Sequence, residues 1–217
     1  MYRVIVADDH EIVRIGYQRI LSATKKFEIV GEANNCNELL PLCRTMMPDI
    51  VILDVSMPGQ GVVSCIQRIK KINADIQVLI ATMFGHQSLA KKCFEAGATG
   101  FVTKSSNSDV MLRALGCLAN KKLFIDPDLA KLVALSSLGR KFKDIGVFTL
   151  LSPREFDVFL SIARGDSLEE ISREMHLSRK TVANYRARIK KSLGVSTTAS
   201  FVHLAIKEGL LKEGLIS

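Results

Sequence analysis

The first 120 residues alternate between short apolar runs and segments with helical spacing. The run Ile50–Leu53 has no polar alternation and leads directly into Asp54, which is typical of a strand buried on both faces of a parallel sheet. Five such runs predict strands at Arg3–Ala7, Phe27–Ala33, Ile50–Leu53, Gln77–Ala81 and Gly100–Thr103. The segments between them predict helices at Glu11–Ser22, Asn37–Thr45, Gly61–Asn73, Ser88–Ala96 and about 108–120. Five β/α units imply an α/β domain with a parallel sheet and helices on both of its faces, and the pattern leaves the strand order open.

From Phe148 onward, the pattern is helical only. Ser152, Ser167 and Ser178 are placed to cap the starts of three helices, and two of them have Glu three positions later. The predicted helices end near Arg164, Met175 and Leu193, and a fourth covers about Thr198–Glu208. The tight turn at 176–178 joins two short helices in a helix-turn-helix pattern. We therefore expect a small all-α domain of four helices.

These patterns divide the chain into residues 1–120, a basic connecting stretch at 121–147, and residues 148–217. In the connecting stretch, Asp126 and Pro127 are suited to begin a short helix that extends to about Leu138. Gly139–Gly146 is expected to be a flexible link.

The charge distribution differs between the two parts of the chain. The 217 residues carry a net charge of +8. Residues 1–120 have 13 Lys and Arg against 11 Asp and Glu, and the remainder has 17 against 11, so the excess is +2 and then +6. This asymmetry indicates a polyanionic partner for the C-terminal part.

Composition also restricts the cellular context. The five cysteines form no C-x-x-C motif and are expected to be reduced, mostly buried thiols of a cytoplasmic protein. The first residues do not resemble a signal peptide, and no apolar run of about 18 residues predicts a membrane span.

Polar residues follow four of the predicted strands. Asp8 and Asp9 follow the first, Asp54 ends the third, Thr82 ends the fourth and Lys104 follows the fifth. The carboxyl ends of parallel strands meet at one edge of the sheet, where ligands bind. Phosphoryl transfer to a carboxylate needs a nucleophilic oxygen, a divalent metal and a nearby cation, and Mg²⁺ prefers carboxylates plus water. Taken singly, each residue is also explained as a solvated turn, a cap or a surface lysine.

The motifs Val6–His10, Leu53–Gly59, Ala81-Thr82 and Phe101–Lys104 resemble the receiver domain of bacterial two-component response regulators. The resemblance implies that Asp54 is the phosphoacceptor and that Asp8, Asp9 and the Ser56 carbonyl bind Mg²⁺ together with Asp54. It further implies that Thr82 bonds a phosphoryl oxygen, that Phe101 is the aromatic switch residue and that Lys104 pairs with the phosphate. Ser105 stands where the family usually has proline after this lysine.

The motifs Leu151–Glu155, Ile171–Val182 and Lys190–Val195 resemble the LuxR-type helix-turn-helix of the NarL/FixJ class. With Tyr185–Arg188, the chain is most similar to the GacA/UvrY group of global regulators. In that family the base-reading positions correspond to Ala183, Asn184 and Ala187. The resemblance also implies that the receiver covers the recognition helix until phosphorylation releases it.

The third C-terminal helix carries a basic face. Six basic residues and no acid lie between Arg179 and Lys191, while Val182, Ile189 and Leu193 form an inward face. Such a face is often merely solvated, but its position after a helix-turn-helix turn favours DNA. Asn184 is expected to be the main base reader. Phosphate contacts are expected from Arg179, Lys180, Thr181, Arg186, Arg188 and Lys191.

The leading hypothesis is a DNA-binding transcription regulator that a sensor histidine kinase or phosphotransfer protein switches by phosphorylating Asp54. It is expected to be a homodimer on a palindromic duplex and not an enzyme beyond self-phosphorylation and slow autodephosphorylation. In the fourth helix, Phe201, Val202, Ala205 and Ile206 are divided between the core and a dimer contact. One rival is a hydrolase with an aspartyl-phosphate intermediate, but such enzymes carry D-x-D on the first strand. The other is a ligand-binding LuxR-type sensor, which the β/α pattern argues against.

Overall fold

The computed structural model describes residues 1–57, 61–83, 87–131, 147–208 and 210–211, without the side chains of 87, 88, 147, 149 and 153. The strands are β1 Tyr2–Ala7, β2 Phe27–Ala33, β3 Ile50–Asp54, β4 Gln77–Thr82, β5 Gly100–Thr103 and β6 Phe124–Ile125. The first helices are α1 Glu11–Ser22, α2 Cys36–Met46, α3 Val62–Ile72, α4 Gln87–Glu95, α5 Ser108–Ala119 and α6, described over 127–131. A 3₁₀ turn at Val147–Leu150 precedes α7 Pro153–Arg164, α8 Leu168–Glu174, α9 Arg179–Leu193 and α10 Thr198–Lys207. The expected link Gly139–Gly146 and the end of the predicted helix at about Leu138 lie outside these residues.

The strands form one parallel sheet in the order β2-β1-β3-β4-β5-β6. The first five have the flavodoxin-like order 2-1-3-4-5, with β3 in the middle, so the predicted α/β fold is confirmed. The sheet also has a sixth strand that the pattern did not predict, because a run of two residues is too short to show any periodicity. This strand extends the sheet into the stretch that was expected to be a linker.

Helices cover both faces of the sheet because its side chains are apolar on both sides. Every residue of β3 is buried. On one face, Leu21 of α1 and Leu115 of α5 pack against alternate strand residues. On the other, Leu39 of α2 and Ile66 of α3 pack against the intervening ones. This packing leaves the carboxyl ends of the strands as the edge at which polar side chains gather.

The C-terminal helices pack around four phenylalanines. These fully buried residues are Phe148, Phe156, Phe159 and Phe201. The helix starts are capped as predicted, with Ser152 and Ser167 in complete capping boxes and Ser178 accepting from the Thr181 amide. Gly165 ends α7 with φ 101, a conformation that glycine adopts without strain.

Helix α7 packs directly against α3 of the sheet domain, so that buried residues of both parts belong to one hydrophobic cluster. Polar contacts border this cluster. Lys92 Nζ donates to the Leu151 carbonyl at 2.8 Å and lies 5.3 Å from the centre of the Phe156 ring. Arg154 donates to Ser64 Oγ at 3.1 Å. The two domains are therefore docked through α7.

Asp126 attaches the sixth strand to the loop after β5. Its carboxylate, 2% exposed, accepts hydrogen bonds from the Thr103 amide and hydroxyl, the Ser106 hydroxyl and the Asp128 amide. Burial alone would raise the pKa of Asp126, but these donors outweigh burial and hold that pKa below its usual range. Lys104 lies in the same loop, between Thr103 and Ser106.

We predict that Asp126→Asn lowers the free energy of unfolding by about 1–3 kcal/mol at pH 7, because buried donors lose a charged acceptor. A carboxylate whose pKa is depressed by folding stabilises the fold above its unfolded pKa and ceases to do so as pH falls. The difference should therefore shrink below about pH 4. Urea denaturation followed by circular dichroism measures it.

The matched control is Asp128→Asn, since the Asp128 side chain is 89% exposed. It should change stability by no more than about 0.5 kcal/mol. Equal losses in the two variants would show that the Asp126 network does not stabilise this edge.

Candidate functional site

The strand ends bring two buried carboxylates and one ammonium together, as the sequence predicted. Asp8 and Asp54 are 1% and 2% exposed. Lys104 Nζ lies 2.6 Å from Asp8 Oδ2 and 3.0 Å from Asp54 Oδ2. Because β1, β3 and β5 end at the same edge, residues nearly 100 positions apart in sequence form one charged cluster.

The other residues expected at this site lie close along the chain or the sheet. Thr82 is fully buried at the end of β4, and its carbonyl accepts the Lys104 amide at 2.7 Å. Phe101 is fully buried in β5 and belongs to the hydrophobic cluster. Ser56 follows Asp54 by two positions and is partly exposed. No peptide bond within the described ranges is cis, including the bond between Lys104 and Ser105.

The electrostatics of the cluster are those of a site with surplus negative charge. Burial raises the pKa of Asp54; the Lys104 charge opposes this rise, and the Asp8 charge adds to it. Burial lowers the pKa of Lys104, but the attraction of Asp54 and Asp8 outweighs burial and leaves that pKa raised. The lysine is therefore firmly protonated, and the Asp54 carboxyl group beside it is held in a poorly hydrated place.

His10 was given no role from the sequence, yet it lies beside the carboxylates. Its Nδ1 is 3.0 Å from Asp9 Oδ1 and 3.4 Å from Asp8 Oδ1. It follows β1 in a loop, where no periodicity indicates its direction. Its position next to the Asp8-Asp9 pair in the sequence was the available signal.

The donor set fits a hard divalent cation such as Mg²⁺. Asp8, Asp9, His10 and Asp54 each offer one ligand atom, and these atoms lie within 4.8 Å of one another. Asp54 Oδ1 is buried and accepts no hydrogen bond from the described residues, so it has an unused acceptor. Carboxylate oxygens with room for water are what Mg²⁺ requires.

Helix α9, the recognition helix of the helix-turn-helix pattern, presents the basic face that the sequence predicted. Val182 and Ile189 are fully buried, which turns the opposite side of α9 outward. Exposed positions on that side are Arg179, Lys180, Ala183, Asn184, Ala187, Arg188 and Lys191, while Thr181 and Arg186 are partly buried. Arg179 pairs with Glu169, and Arg186 donates to Thr198 Oγ1 at 3.0 Å. A basic surface with a single central amide group is therefore open to solvent.

This exposure differs from what the family resemblance implied. A receiver that covered the recognition helix would bury Asn184 and its neighbours, but the domain contact is made by α7 instead. The physical reason is that α7 carries the polar groups that match α3. In α10, Phe201 and Ala205 are buried, whereas Val202 and Ile206 remain partly exposed.

Comparison with known proteins matches both halves of the chain to families. Residues 4–116 match the response regulator receiver domain, and residues 149–205 match the bacterial regulatory proteins of the luxR family. The chain belongs to the response regulator family. It has the receiver and LuxR-type domain pair of two-component transcription regulators, and the predicted NarL/FixJ-class assignment is confirmed.

Individual relatives cover the response regulator from end to end. Response regulator UvrY of Escherichia coli K12 is 34% identical over 217 residues, which is 100% of this chain and 99% of the relative. Response regulator GacA of Pseudomonas aeruginosa is 32% identical over 97% of this chain and 98% of the relative. RcsB of Salmonella enterica, solved bound to promoter rprA with the phosphomimetic BeF₃⁻, has a TM-score of 0.73 and 24% identity over 94% of this chain and 97% of that chain. This likeness to RcsB supports the fold. No helix in the described part of the chain is long and apolar enough to cross a membrane.

The surplus of buried negative charge predicts that removing one carboxylate stabilises the fold. Asp54→Asn leaves Lys104 paired with Asp8 and removes the second buried carboxylate. In buffer with a chelator at pH 7 it should raise the free energy of unfolding by about 1 kcal/mol, because one of two buried carboxylates that share a single cation is removed. Because folding raises the pKa of Asp54, the ionised form costs stability only above its unfolded pKa of about 4, so the gain should disappear below about pH 4.

Thermal and urea denaturation measure this difference, with Asp109→Asn on the exposed start of α5 as the control. Conversely, Lys104→Met should destabilise the protein by about 3–5 kcal/mol, since it leaves both carboxylates uncompensated. A loss of stability in Asp54→Asn would contradict the surplus of charge.

Proposed function

We propose that this response regulator is switched by phosphorylation of Asp54 and that its α9 binds duplex DNA. The observation that carries the proposal is the buried cluster in which Lys104 bridges Asp8 and Asp54. A sensor histidine kinase or a phosphotransfer protein is the expected phosphodonor, since the chain belongs to a two-component family. The rival hydrolase hypothesis has no support from the relatives, which are response regulators.

In the proposed reaction an Asp54 carboxylate oxygen attacks the phosphorus atom. A P–O bond forms while the bond from phosphorus to the donor breaks, and the donor retains that electron pair. Lys104 Nζ is already within 3.0 Å of Asp54 and offsets the charge of the transferred oxygens. The Thr82 hydroxyl, at the end of the adjacent strand, is assigned to one phosphoryl oxygen, and Phe101 is assigned to the conformational readout.

Asp8, Asp9, Asp54 and the Ser56 carbonyl are the residues we assign to Mg²⁺, which when bound supplies positive charge to the attacking and transferred oxygens. Hydrolysis of the acyl phosphate by water would return the carboxylate slowly. These self-phosphorylation and autodephosphorylation steps are the only chemistry that the proposal attributes to the chain. It places the reactions in the cytoplasm, where the kinase domains of such systems supply phosphoryl groups.

At the DNA end, the proposal assigns direct base contact to the exposed face of α9. Asn184 is expected to read a base edge, and the methyl groups of Ala183 and Ala187 are expected to touch thymine methyls. Arg179, Lys180, Thr181, Arg186, Arg188 and Lys191 are assigned to phosphates. A homodimer on two half-sites, with a contact that includes Val202 and Ile206, would make the operator palindromic. RcsB, whose fold is similar, was solved on promoter DNA.

The first test is covalent labelling. Wild-type protein incubated with acetyl phosphate and Mg²⁺ should gain one phosphoryl group by intact-mass spectrometry, and Asp54→Asn should gain none because an amide is a poor nucleophile. Asp109→Asn, a control at an exposed helix start, should label like the wild type. Labelling of Asp54→Asn at the wild-type level would reject the assignment.

The second test separates base contacts from phosphate contacts. Asn184→Ala should weaken binding to a selected palindromic site by about 1–3 kcal/mol and relax the preference at one base position. Arg188→Gln should weaken binding to all sequences alike, and the slope of log K against log salt should become shallower by about 0.9 per lost phosphate contact. Fluorescence anisotropy titrations at several salt concentrations measure both effects. An altered base preference in Arg188→Gln would contradict its assignment to phosphate.

A further inference from the structure

The DNA-binding domain holds both ends of the segment that leads from the phosphoacceptor strand to α3. At the start of this segment, the Arg164 guanidinium donates to the Val55 carbonyl at 3.1 Å. At its end, the Asp157 carboxylate accepts the amides of Val63 and Ser64, each at 3.2 Å. Ser56, whose carbonyl is assigned to Mg²⁺, lies within this segment.

The Asp157 contact is a helix cap supplied by another domain. The carboxylate is 1% exposed and also accepts the Ser64 hydroxyl at 2.6 Å, so it meets the unpaired amides at the start of α3. Gly61 permits this approach, because a Cβ at that position would overlap the Asp157 carboxylate. Burial nevertheless raises the pKa of Asp157 to about 6, so the hydrogen bonds do not fully offset the lost hydration. The contact is specific, but it is only modestly favourable at neutral pH.

The Arg164 contact depends on the charge of the acidic pocket. Burial lowers the pKa of Arg164, and the acids that offset this effect are Asp166, Asp54, Asp157 and Asp9. Two of these four, Asp54 and Asp9, are assigned to Mg²⁺. A cavity of about 190 Å³ between the domains is lined by Asp9 and Ser56 on one side and by Asp157, Arg164 and Asp166 on the other. The guanidinium and a cation in the pocket therefore compensate the same negative charge.

A divalent cation in the pocket would cancel much of the charge that stabilises Arg164. A partly buried guanidinium that loses its counter-charges favours solvent, so the docked arrangement would become less stable. Such a coupling is reciprocal. Docking lowers the affinity for the cation by the same factor by which cation binding lowers the docking equilibrium constant.

We propose that Asp157 and Arg164 are positioning residues that make α7 a clamp on the residues that follow β3, at Val55, and on the start of α3, at Val63 and Ser64, and that docking of this clamp and Mg²⁺ binding weaken each other. This inference rests on the proposed function, because it assigns the cation to the phosphorylation pocket. It makes cation loading, before any phosphoryl transfer, a step that loosens the two domains.

The test measures Mg²⁺ affinity by isothermal titration calorimetry on full-length protein. Arg164→Gln should bind Mg²⁺ about fivefold or more tightly than the wild type, the lower end of typical coupling factors. Asp157→Ala should also bind more tightly, although it removes a negative charge from the cavity wall. Arg173→Gln, the same change at an exposed position of α8, should match the wild type.

The opposite charge changes at Arg164 and Asp157 separate docking from local electrostatics. If Arg164→Gln binds Mg²⁺ more tightly and Asp157→Ala less tightly, the pocket merely senses charge and the clamp is rejected. Unchanged affinity in both variants rejects it as well. Ser64→Ala, which removes the hydroxyl's two hydrogen bonds with Asp157 and Arg154 but no charge, should give a smaller increase. It serves if a variant at a buried position does not fold.

A second readout follows docking itself. Hydrogen exchange of the Val63 and Ser64 amides in the wild type should become faster on addition of Mg²⁺, because their acceptor Asp157 is withdrawn. Exchange that is unchanged or slower would overturn the proposal. Asp9→Asn separates a failure of the metal-site assignment from a failure of the clamp. If it leaves Mg²⁺ affinity unchanged, the assigned metal site is wrong. If it abolishes binding while the Arg164 and Asp157 variants behave like the wild type, only the clamp fails.

Discussion

The buried ion cluster of Asp8, Lys104 and Asp54 is the interaction on which the rest of the structure depends. The Lys104 ammonium lies within 3.0 Å of both carboxylates at the edge of the sheet, and the two acids are almost unexposed. Such an arrangement exists only if three parallel strands end at one level, which fixes β1, β3 and β5 relative to one another. Its net charge is negative, so an added positive charge such as a divalent cation would balance the cluster. In the proposed function, the carboxylate that costs folding stability is also the group that reacts.

Around this cluster, the loops are held by partners from distant parts of the chain. Asp126, beyond α5, holds the loop that carries Lys104, and Arg164 of the DNA-binding domain holds the carbonyl next to Asp54. Both are charged side chains that form hydrogen bonds with backbone or hydroxyl groups. Each contact therefore responds to a change in the local electrostatic field as well as to a change in geometry. The linker and the second domain are thus connected to the two loops that meet a phosphoryl group.

The sequence was sufficient for the first five strands and for the placement of the five strand-end residues, because parallel strands share an edge and Asp54 and Lys104 follow strands that are plainly apolar. The outer face of α9 was predictable for a similar reason, since Val182 and Ile189 fix which side is inward. β6 was not predictable, because two residues carry no period. Asp157 was missed because it lies on α7 with Ser161 and Arg164 at helical spacing, and a face of such residues is ordinarily solvated. Only the three-dimensional approach of α3, with its unpaired amides, makes that face an interface.

The exposed recognition face constrains how the switch can act. A phosphoryl group on Asp54 lies in the receiver and cannot touch DNA, so it acts by favouring one arrangement of the domains. Here docking leaves Asn184 and Arg188 open, so relief of steric blocking does not explain a gain in affinity.

What docking does restrict is the placement of one helix-turn-helix relative to a second copy, since α7 is held to α3 by Asp157. Two half-sites about one helical turn apart demand a fixed separation and orientation of two such units. In the docked arrangement each DNA-binding domain carries its receiver at a set angle, and a dimer must accommodate both. If the proposed function holds, the free energy of the α7 contact is therefore the quantity that phosphorylation has to offset before two recognition helices can meet one duplex.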